Sequence, residues 1–357
     1  MNIVVVFGGK SVEHEISIIS AFQVIKTLEI KYNVIPIYIS KDNEFYYDKK
    51  MKDISYFNST NKILKKKNIV SFHTKDSKYY IKGKKKVYFD LIFPIVHGKG
   101  CEDGSLLDYF KFQGFPIVGN NASFYSIAQN KALTKRVLDG LNIDNVEYKL
   151  LKRGEDYNFK DFDYPCIVKP NNLGSSLGIT IATNFVELEK AISFCFKIDT
   201  EVIVEKYLEN SKEYNVAVLN NKGIIETSKV DTVLKNKMFT FEDKYLQGNK
   251  KKGMANNREY KKEKINKDIE KEIKRVSKII YKELGASGVI RIDFLYKDKL
   301  YVNEINSIPG SYAYYLWDNK YDFLELLDIV VEEAKRDNYF FFRKNELIDK
   351  NVIFKIS

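Results

Sequence analysis

Two alternating segments near residue 300 constrain the fold of this chain more than any other feature. Residues 288–306 read Gly-Val-Ile-Arg-Ile-Asp-Phe-Leu-Tyr-Lys-Asp-Lys-Leu-Tyr-Val-Asn-Glu-Ile-Asn. Successive side chains of a β-strand point to opposite faces, so Arg291 and Asp293 share one face of the first segment. By the same rule, Glu304 and Asn306 share a face of the second segment. The pattern predicts two strands, each with a polar face and an apolar face.

A hairpin that turns at residues 298–299 would place Asp293 directly opposite Glu304, and Arg291 opposite Asn306. Two opposed carboxylates lower stability unless a positive group lies between them. A hard divalent cation with oxygen ligands, above all Mg²⁺ that carries nucleotide phosphates, would supply that charge. The alternative is the solvent-facing side of an ordinary hairpin, which explains the alternation but not the opposed acids.

A glycine- and serine-rich loop lies upstream. Residues 167–180 read Ile-Val-Lys-Pro-Asn-Asn-Leu-Gly-Ser-Ser-Leu-Gly-Ile-Thr, which predicts two strands joined by a loop. Glycine permits close backbone approach, the hydroxyls of Ser175 and Ser176 can donate to phosphate oxygens, and Lys169 adds positive charge. For this loop alone, an ordinary exposed hairpin loop is an equal alternative. Together with the acidic hairpin, the loop predicts a phosphate-binding flap that faces a metal site.

The N-terminal segment Phe-Gly-Gly-Lys-Ser-Val-Glu-His-Glu, residues 7–15, ends like a P-loop. A P-loop needs a further glycine where this chain has Val4, inside an apolar strand, so that interpretation is excluded. The strand–helix–strand pattern up to about residue 120 instead predicts an open α/β domain with ligand sites beyond the carboxyl ends of its strands. Glu13 and His97 follow such ends, whereas we expect His14 at the surface.

Composition excludes several classes of function. The net charge of +11 comes from 59 Lys and Arg against 48 Asp and Glu, but the excess lies in short lysine runs without interleaved arginine and aromatic residues. This distribution favours solvated surface over nucleic-acid binding. No run approaches about 18 apolar residues and no basic segment precedes the first strand, so we expect no membrane span or signal peptide. The three scattered cysteines fit a reducing cytoplasm.

Eight segments of the chain, between residue 3 and about residue 335, occur together in a characteristic order. They are F-G-G-K-S-V-E-H-E-I-S, H-G-K-G-C-E-D-G, N-K-A-L-T-K-R, I-V-K-P-N-N-L-G-S-S-L-G-I, V-I-V-E-K-Y-L, E-D-K-Y-L, R-I-D-F and N-E-I-N-S-I-P-G. In these segments and their order the chain resembles the ATP-grasp superfamily and, within it, the D-alanine–D-alanine ligase family.

This resemblance implies the fold class: an α/β plus α+β chain, in which an N-terminal open parallel α/β domain precedes an ATP-grasp fold. In that fold, two α+β subdomains hold ATP between antiparallel sheets. We expect the N-terminal substrate domain at residues 1–120 and the central subdomain with the flap at 121–208. The C-terminal subdomain with the lid and metal site is expected at 209–336, and an extension at 337–357.

The resemblance also implies an ATP site with two Mg²⁺ (or Mn²⁺) ions. The residues expected to hold phosphates, adenine and ribose are Lys131, Lys169, Ser176, Glu205, Lys206, Tyr207, Leu208, Glu213 and Lys244. Of these, the segment 205–208 would bind the adenine and Glu213 the ribose. The expected metal ligands, Asp293, Glu304 and Asn306, agree with the hairpin argument made from the residues alone.

The implied reaction has two steps: ATP phosphorylates the carboxylate of one D-alanine, and the amine of a second attacks the acyl phosphate. By resemblance, Glu13 binds the donor ammonium and forms a hydrogen-bonded triad with Ser175 and Tyr245, the latter in a lid at residues 236–260. Arg291 would stabilise oxyanion charge together with the backbone near Gly310. We expect His97 to line the site, the alternative being a buried, hydrogen-bonded histidine.

The segment after Pro309 departs from the family. A serine that anchors the acceptor carboxylate is replaced at the aligned position by Tyr315, and Ser311 is the nearest hydroxyl of the expected size. We therefore predict a ligase that joins two D-alanines, and keep as an alternative a ligase with another, bulkier acceptor. A catalytically silent ATP-binding regulator is the third possibility. The family also implies a homodimer with ATP and D-alanine as its small-molecule partners.

Overall fold

The computed structural model describes residues 1–58, 65–76, 78–98, 100, 102–158, 162–174, 176–233 and 265–346, the last nine as backbone only. Four features predicted from the sequence lie outside these residues. They are Ser175, Lys244, Tyr245 and the remainder of the expected lid. Most of the expected C-terminal extension also falls outside the described part of the chain.

The N-terminal region is built on a mainly parallel sheet. Its strands, in chain order, are β1 (Asn2–Gly8), β2 (Asn33–Ile39), β3 (Phe45–Tyr47) and a later strand, Leu91–Ile95. The sheet order is β3-β2-β1 followed by the later strand, and only the edge strand β3 is antiparallel. Helix α1 (His14–Leu28) follows β1. Because both faces are covered, β1 is a nearly continuous apolar run, as expected for a buried parallel strand.

The weak patterning of residues 40–88, which are rich in Lys, Asn and Tyr, predicts an insertion with short strands, and the insertion contains such strands. It forms a separate antiparallel sheet of β4 (Ser71–Lys75), β5 (Lys78–Lys82) and β6 (Lys86–Phe89). The strand Leu91–Ile95 is β7, and it leads through the segment that contains His97 to helix α2 (Ser105–Phe112).

The region after α2 has two helices where one was predicted. The pattern of residues 123–138 predicts a single helix that ends at Gly140, but the structure has α3 (Ala122–Gln129) and α4 (Lys131–Gly140). Asn130 breaks the helix because its side chain accepts a hydrogen bond from Leu133 N at 2.8 Å and caps α4.

An antiparallel sheet follows, in the order β10-β9-β11-β8. Its strands are β8 (Tyr148–Lys152), β9 (Cys166–Pro170), β10 (Thr180–Ala182) and β11 (Glu201–Lys206). Helix α5 (Phe185–Ile198) packs on it. Asn184 with Glu187 three positions later predicts a capping box at the start of this helix, and Asn184 Oδ1 accepts a hydrogen bond from Glu187 N.

The last sheet carries the acidic hairpin. It contains β12 (Lys212–Asn221), β13 (Ile224–Thr227), β14 (Asp231–Val233), β15 (Ile290–Tyr296) and β16 (Leu300–Asn306). Helix α6 (Lys267–Glu283) packs on β12 and β13, and a 3₁₀ segment (Gly310–Leu316) leads to helix α7 (Phe323–Glu346).

The strands β15 and β16 pair antiparallel, and the predicted register holds at the polar end. Asp293 pairs with Glu304, and Arg291 pairs with Asn306. Nearer the turn the register shifts by one residue, because a bulge at Asn303 follows the pairing of Phe294 with Val302. The turn therefore differs from the predicted one, and the bulge restores the predicted pairing.

A shared core joins the N-terminal sheet to the C-terminal end of the chain. Trp317 and Tyr312 are buried in the same hydrophobic cluster as residues of β1, β7 and α1. The side chains of Lys31 and Tyr32, just after α1, both contact Asp328 on α7. Within the described residues, no helix is long and apolar enough to cross a membrane.

Candidate active site

The acidic hairpin carries an ion pair in which the Asp293 side chain is 8% exposed and the Arg291 side chain 22% exposed. Arg291 donates two hydrogen bonds to Asp293, Nε to Oδ1 at 2.8 Å and a terminal nitrogen to Oδ2 at 2.9 Å. Asn306 Nδ2 also donates to Asp293 Oδ2, at 3.1 Å. Burial opposes the charge of Arg291, but Asp293, Tyr315 and Glu304 outweigh it and raise the pKa of the guanidinium. The carboxylate of Asp293 is thus held by two neighbours on the same sheet.

The residues of this hairpin fit a magnesium ion that carries phosphates. Asp293, Glu304 and the amide of Asn306 offer oxygen ligands, which hard divalent cations prefer. No cluster of three or more His, Cys, Asp or Glu side chains suited to a metal occurs in the described ranges. Two carboxylates and one amide would suffice, since Mg²⁺ commonly takes its other ligands from phosphates and water.

Two of the predicted phosphate-binding lysines lie near this hairpin, one on strand β9 and one at the start of helix α4. Lys169, on β9, reaches Asn303 Oδ1 at 3.4 Å, so a side chain of the central sheet contacts the bulge of the C-terminal sheet. Lys131, at the start of α4, donates to Leu173 O in the flap at 2.5 Å. Burial lowers the pKa of Lys131, and the nearby carboxylate of Glu304 partly offsets this effect.

The base of the flap is fixed by a network of buried amides and acids. Asn171 O and Oδ1 accept hydrogen bonds from the first two backbone nitrogens of α4, at 3.1 and 2.9 Å. Asn172 N and Nδ2 donate to Asp199 at 2.7 and 3.1 Å. Ser176 follows with a left-handed φ of 60°, so the flap turns sharply above a rigid base.

The predicted adenine segment lies at the end of β11. Glu205 directs its side chain to two lysines rather than outward, with Oε2 2.6 Å from Lys169 Nζ. Tyr207 N is bonded to the backbone oxygen of Pro165 at 3.3 Å. Lys206 is exposed, Leu208 is buried, and Glu213 lies partly buried on β12, which follows in the chain but belongs to the next sheet. Lys206 N donates to Glu147 O at 3.1 Å, so the backbone N–H groups of Lys206 and Tyr207 both have partners within the protein, and adenine binding by this segment stays a prediction.

The carboxyl ends of β1 and β7 bring Glu13 and His97 together. Glu13 is buried at the start of α1, and its carboxylate lies so close to Gly98 that a Cβ there would be 3.2 Å from Oε2. His97 Nδ1 lies 3.6 Å from the carboxylate of Glu102. Burial disfavours the protonated ring, but Glu102 and Glu13 outweigh it and raise the pKa of His97.

The expectation that His14 lies at the surface is wrong. His14 is buried, with Nδ1 2.6 Å from Gly9 O and Nε2 3.1 Å from the hydroxyl of Tyr38. The ring thus links the turn after β1 to Tyr38 on β2. No local pattern indicates this contact, because Tyr38 lies on another strand.

The tyrosine-rich segment after Gly310 has an unusual backbone. Ser311, Tyr312 and Ala313 have left-handed φ values of 48°, 52° and 50°. Tyr312 packs into the core against Phe93, whereas the hydroxyl of Ser311 donates to Gln23 at 2.5 Å. Ser311 and Tyr312 also line a small pocket with Ser20, His97 and Pro309.

The other two tyrosines of this segment have different environments. Tyr314 packs on Phe323, with ring centroids 4.9 Å apart. Tyr315 lies close enough to Arg291 to influence its pKa. Of the two, Tyr315 is therefore the one that lies near the hairpin, and its expected contact with the acceptor stays a prediction.

Comparisons with known proteins identify the family of this chain. The family model described as D-ala D-ala ligase N-terminus matches residues 2–120, and the D-ala D-ala ligase C-terminus model matches residues 137–323. A D-alanine–D-alanine ligase of Thermosipho melanesiensis is 37% identical over 99% of this chain and 98% of its own length. The chain belongs to the D-alanine–D-alanine ligase family.

Solved structures of the ligase family share the fold. The D-alanine–D-alanine ligase of Helicobacter pylori has a TM-score of 0.76 at 29% identity, covering 93% of this chain and 98% of its own. The VanG D-Ala:D-Ser ligase of Enterococcus faecalis has the same TM-score at 28% identity, covering 93% and 99%. The predicted fold class, ATP-grasp with an N-terminal open α/β region, is confirmed.

The sequence-based reasoning missed several side chains at this ligase-family site. Lys135 contacts Glu205 and was not singled out, although its spacing of four from Lys131 places both on one helix face. Glu102, which pairs with His97, lies in a motif that was quoted for the family resemblance. No sequence pattern indicates that Asn303 lies at the site, because the direction of its side chain is set by a bulge.

Proposed function

We propose that this protein joins two D-alanine molecules into D-alanyl-D-alanine for peptidoglycan, with conversion of ATP to ADP and phosphate. One contact supports the proposal most strongly. Lys169, on strand β9 at the base of the flap, contacts Asn303 in the bulge of β16, next to the opposed acids Asp293 and Glu304. The contact supports the proposal because it brings a lysine of one antiparallel sheet next to two carboxylates of another. That is the arrangement needed to hold a magnesium nucleotide between them.

In this proposal the nucleotide phosphates lie between the lysines and the hairpin. Lys131 and Lys169 balance phosphate charge, and the backbone of residues 205–208 with Glu213 holds the adenosine. Asp293, Glu304 and Asn306 would bind two Mg²⁺ ions, which neutralise charge on the phosphates. Ser176, on the left-handed turn of the flap, donates to the phosphates from above.

The first step transfers the terminal phosphoryl group of ATP to a carboxylate oxygen of the donor D-alanine, and ADP leaves. Glu13 binds the donor ammonium beside His97, and in the triad it is joined by Ser175 and Tyr245. Water would hydrolyse the acyl phosphate, so the site must close over it. The segment 236–260 is the lid in this proposal, with Lys244 over the phosphates.

In the second step, the amine nitrogen of the acceptor attacks the acyl carbon, the C–O bond to phosphate breaks, and the amine loses a proton. Arg291 and the backbone at Gly310 balance the oxyanion that forms. In this proposal the acceptor carboxylate is held by the hydroxyl of Tyr315, and by that of Ser311 when it exchanges Gln23 for the carboxylate. A phenol in place of a serine hydroxyl reduces the free volume, which favours a small acceptor such as D-alanine over a bulkier one.

The experiment is phosphate release by purified protein with ATP, Mg²⁺ and D-alanine. We expect release well above a blank without amino acid, between neutral and alkaline pH. Release no greater than the blank over that range would remove the D-alanine assignment. A screen of amines with D-alanine fixed separates a second acceptor from D-alanine itself, and ATP binding without turnover would indicate a regulator.

We also propose a homodimer that works in the cytoplasm and binds no nucleic acid. Its family membership supports the first statement, and the dispersed lysine charge supports the last. Light scattering after gel filtration tests the dimer: a mass of one chain at micromolar concentration would contradict it.

A further inference from the structure

A buried charge cluster lies behind the predicted phosphate site. Glu205 is placed between two lysines, with Oε2 2.6 Å from Lys169 Nζ and Oε1 3.3 Å from Lys135 Nζ. The side chains of Lys135 and Glu205 are each 3% exposed, and that of Lys169 is 9% exposed. Three charged groups are therefore held almost without solvent, where their mutual compensation decides their positions.

Apart from Glu205, the two lysines contact different parts of the protein. Lys169 extends past Glu205 to Asn303 on the acidic hairpin. Lys135 turns inward, where Nζ donates to Val146 O at 2.9 Å and lies 5.4 Å from the ring centre of Tyr148. Lys135 is therefore committed to the interior, and its contact with the site runs through Glu205.

The charges of this cluster limit what Lys169 can do. Burial would raise the pKa of Glu205, but Lys169 and Lys135 hold it at about 2. Glu205 is thus a fixed negative charge that competes with any anion for Lys169. Leaving a buried charge without a partner is costly, so if Lys169 were the only positive group at Glu205 it could not move to another anion without that cost. Lys135 supplies a second positive charge, which weakens the attraction of Lys169 to Glu205.

We propose that Lys135 is a positioning residue: by neutralising Glu205 from the interior, it leaves Lys169 free to bind the phosphates of ATP. This inference rests on the proposed function, because it takes ATP as the anion that Lys169 meets. It assigns to Lys135 no contact with the nucleotide.

The test measures ATP binding by calorimetry without D-alanine, so that it does not depend on ligase turnover. We expect Lys135→Gln, which keeps a donor for Val146 O but loses the charge, to weaken ATP binding about tenfold. Lys135→Arg keeps the charge and should bind within about threefold of the wild type. Arg136→Gln is the matched control, since it removes one exposed positive charge from the next position of the same helix and should leave affinity unchanged.

A double-mutant cycle with Glu205→Gln separates positioning from direct contact. If Lys135 acts through Glu205, then Lys135→Gln in the Glu205→Gln background should change ATP affinity less than about twofold. Equal weakening in both backgrounds would mean that Lys135 acts on the nucleotide itself and would overturn the proposal.

Stability distinguishes positioning from a purely structural role. A lower melting temperature for Lys135→Gln with unchanged ATP affinity would also overturn the proposal. If Lys135→Gln does not fold, Lys135→Arg alone decides: wild-type ATP affinity supports the proposal, and a tenfold loss contradicts it. A wild type that binds no ATP would overturn the proposed function as well. If the wild type binds ATP but forms no dipeptide, the proposed function is wrong, and the ATP affinities of the variants still decide the role of Lys135.

Discussion

At the scale of single residues, the two opposed acids of the hairpin have different surroundings. Asp293 accepts two hydrogen bonds from Arg291 and one from Asn306, so its charge is compensated without a metal. Glu304 faces the same centre with only longer-range attraction from Arg291 and Lys131 among the described residues. The repulsion between the two acids is mutual, but at Asp293 three hydrogen bonds offset it, whereas at Glu304 the offset comes from longer range.

This difference predicts different stabilities for two inactive variants. Glu304→Gln and Asp293→Asn should both abolish turnover, because each removes a carboxylate from the expected metal site. Glu304→Gln should keep or raise the melting temperature without ligands, whereas Asp293→Asn should lower stability by about 1–3 kcal/mol, since Arg291 loses its partner. Calorimetry of both variants checks this, and wild-type activity in both would contradict the metal assignment.

Tyr315 should affect the acceptor more than the donor. Tyr315→Phe removes only the hydroxyl, and we expect the KM for the acceptor D-alanine to rise about tenfold, the worth of one lost polar contact to a charged group. Tyr314→Phe is the control, because Tyr314 packs on Phe323 through its ring. Steady-state kinetics at fixed ATP measure both variants, and equal KM values for the two would show that Tyr315 does not contact the acceptor.

His97 should make stability depend on pH. Its pKa is raised in the folded state by Glu102 and Glu13, so its protonation stabilises the fold below the unfolded value of about 6.5. That contribution is lost as pH rises through the folded pKa. Glu102→Gln should lower the pKa of His97 and remove part of this stabilisation. The variant should therefore melt at a lower temperature than the wild type, and the difference should be larger at pH 6 than at about pH 8.5.

Asp103→Asn is the control for this pH dependence. Asp103 is a neighbouring carboxylate that bonds Gly100 N and Ser105 N rather than His97. Its substitution should give a difference in melting temperature that does not vary over this pH range. A difference for Glu102→Gln that is larger at alkaline pH would show that His97 is not the titrating group.

At the scale of elements, the flap depends on one glycine more than on the other. Gly178 has a φ of 77°, and a Cβ there would lie 3.0 Å from Pro170 Cγ and 3.1 Å from Ile198 Cδ1. Gly178→Ala should cost about 1–2 kcal/mol of folding stability through left-handed strain alone. A Cβ on Gly174 would meet no atom within 4 Å, so Gly174→Ala should change stability by less than about 0.5 kcal/mol. Urea unfolding measures both, and equal losses would contradict this description of the flap.

The elements themselves were largely predictable from local patterns. The alternation around Asp293 and Glu304 specified both strands and their pairing, because polar and apolar faces cannot exchange without exposing the core. The break at Asn130 was missed because helical spacing continues across it, and only the capping bond identifies it. The bulge at Asn303 was missed because strand periodicity does not reveal where an extra residue is accommodated.

At the scale of the whole molecule, contacts between distant segments were the part that the sequence could not supply. Lys135, Glu205 and Lys169 lie on three different elements, and His14 meets Tyr38 across two elements. Such contacts depend on tertiary packing rather than on periodicity. The roles of Glu13, Arg291 and the lysines came from the family resemblance and stay predictions, as do the domain boundaries.

The shared core makes a prediction about unfolding. Residues of β1, α1 and α7 belong to one hydrophobic cluster, whereas the sheet β10-β9-β11-β8 has a cluster of its own. Amides of β1 and α7 should therefore lose hydrogen-exchange protection at the same urea concentration. Fluorescence of Trp317, the single tryptophan and a member of the shared cluster, should change with them. Loss of β1 protection well before that of α7 would contradict a shared core.

The most direct test is the product formed from ATP and D-alanine by the wild type and by Glu304→Gln. Mass spectrometry of the wild-type reaction should show one D-alanyl-D-alanine for each ADP, and no dipeptide with L-alanine. The Glu304→Gln variant, folded by calorimetry, should form neither ADP nor dipeptide. ADP without dipeptide from the wild type, or dipeptide at the wild-type rate from Glu304→Gln, would contradict the claim that this hairpin is the catalytic centre of a D-alanine ligase.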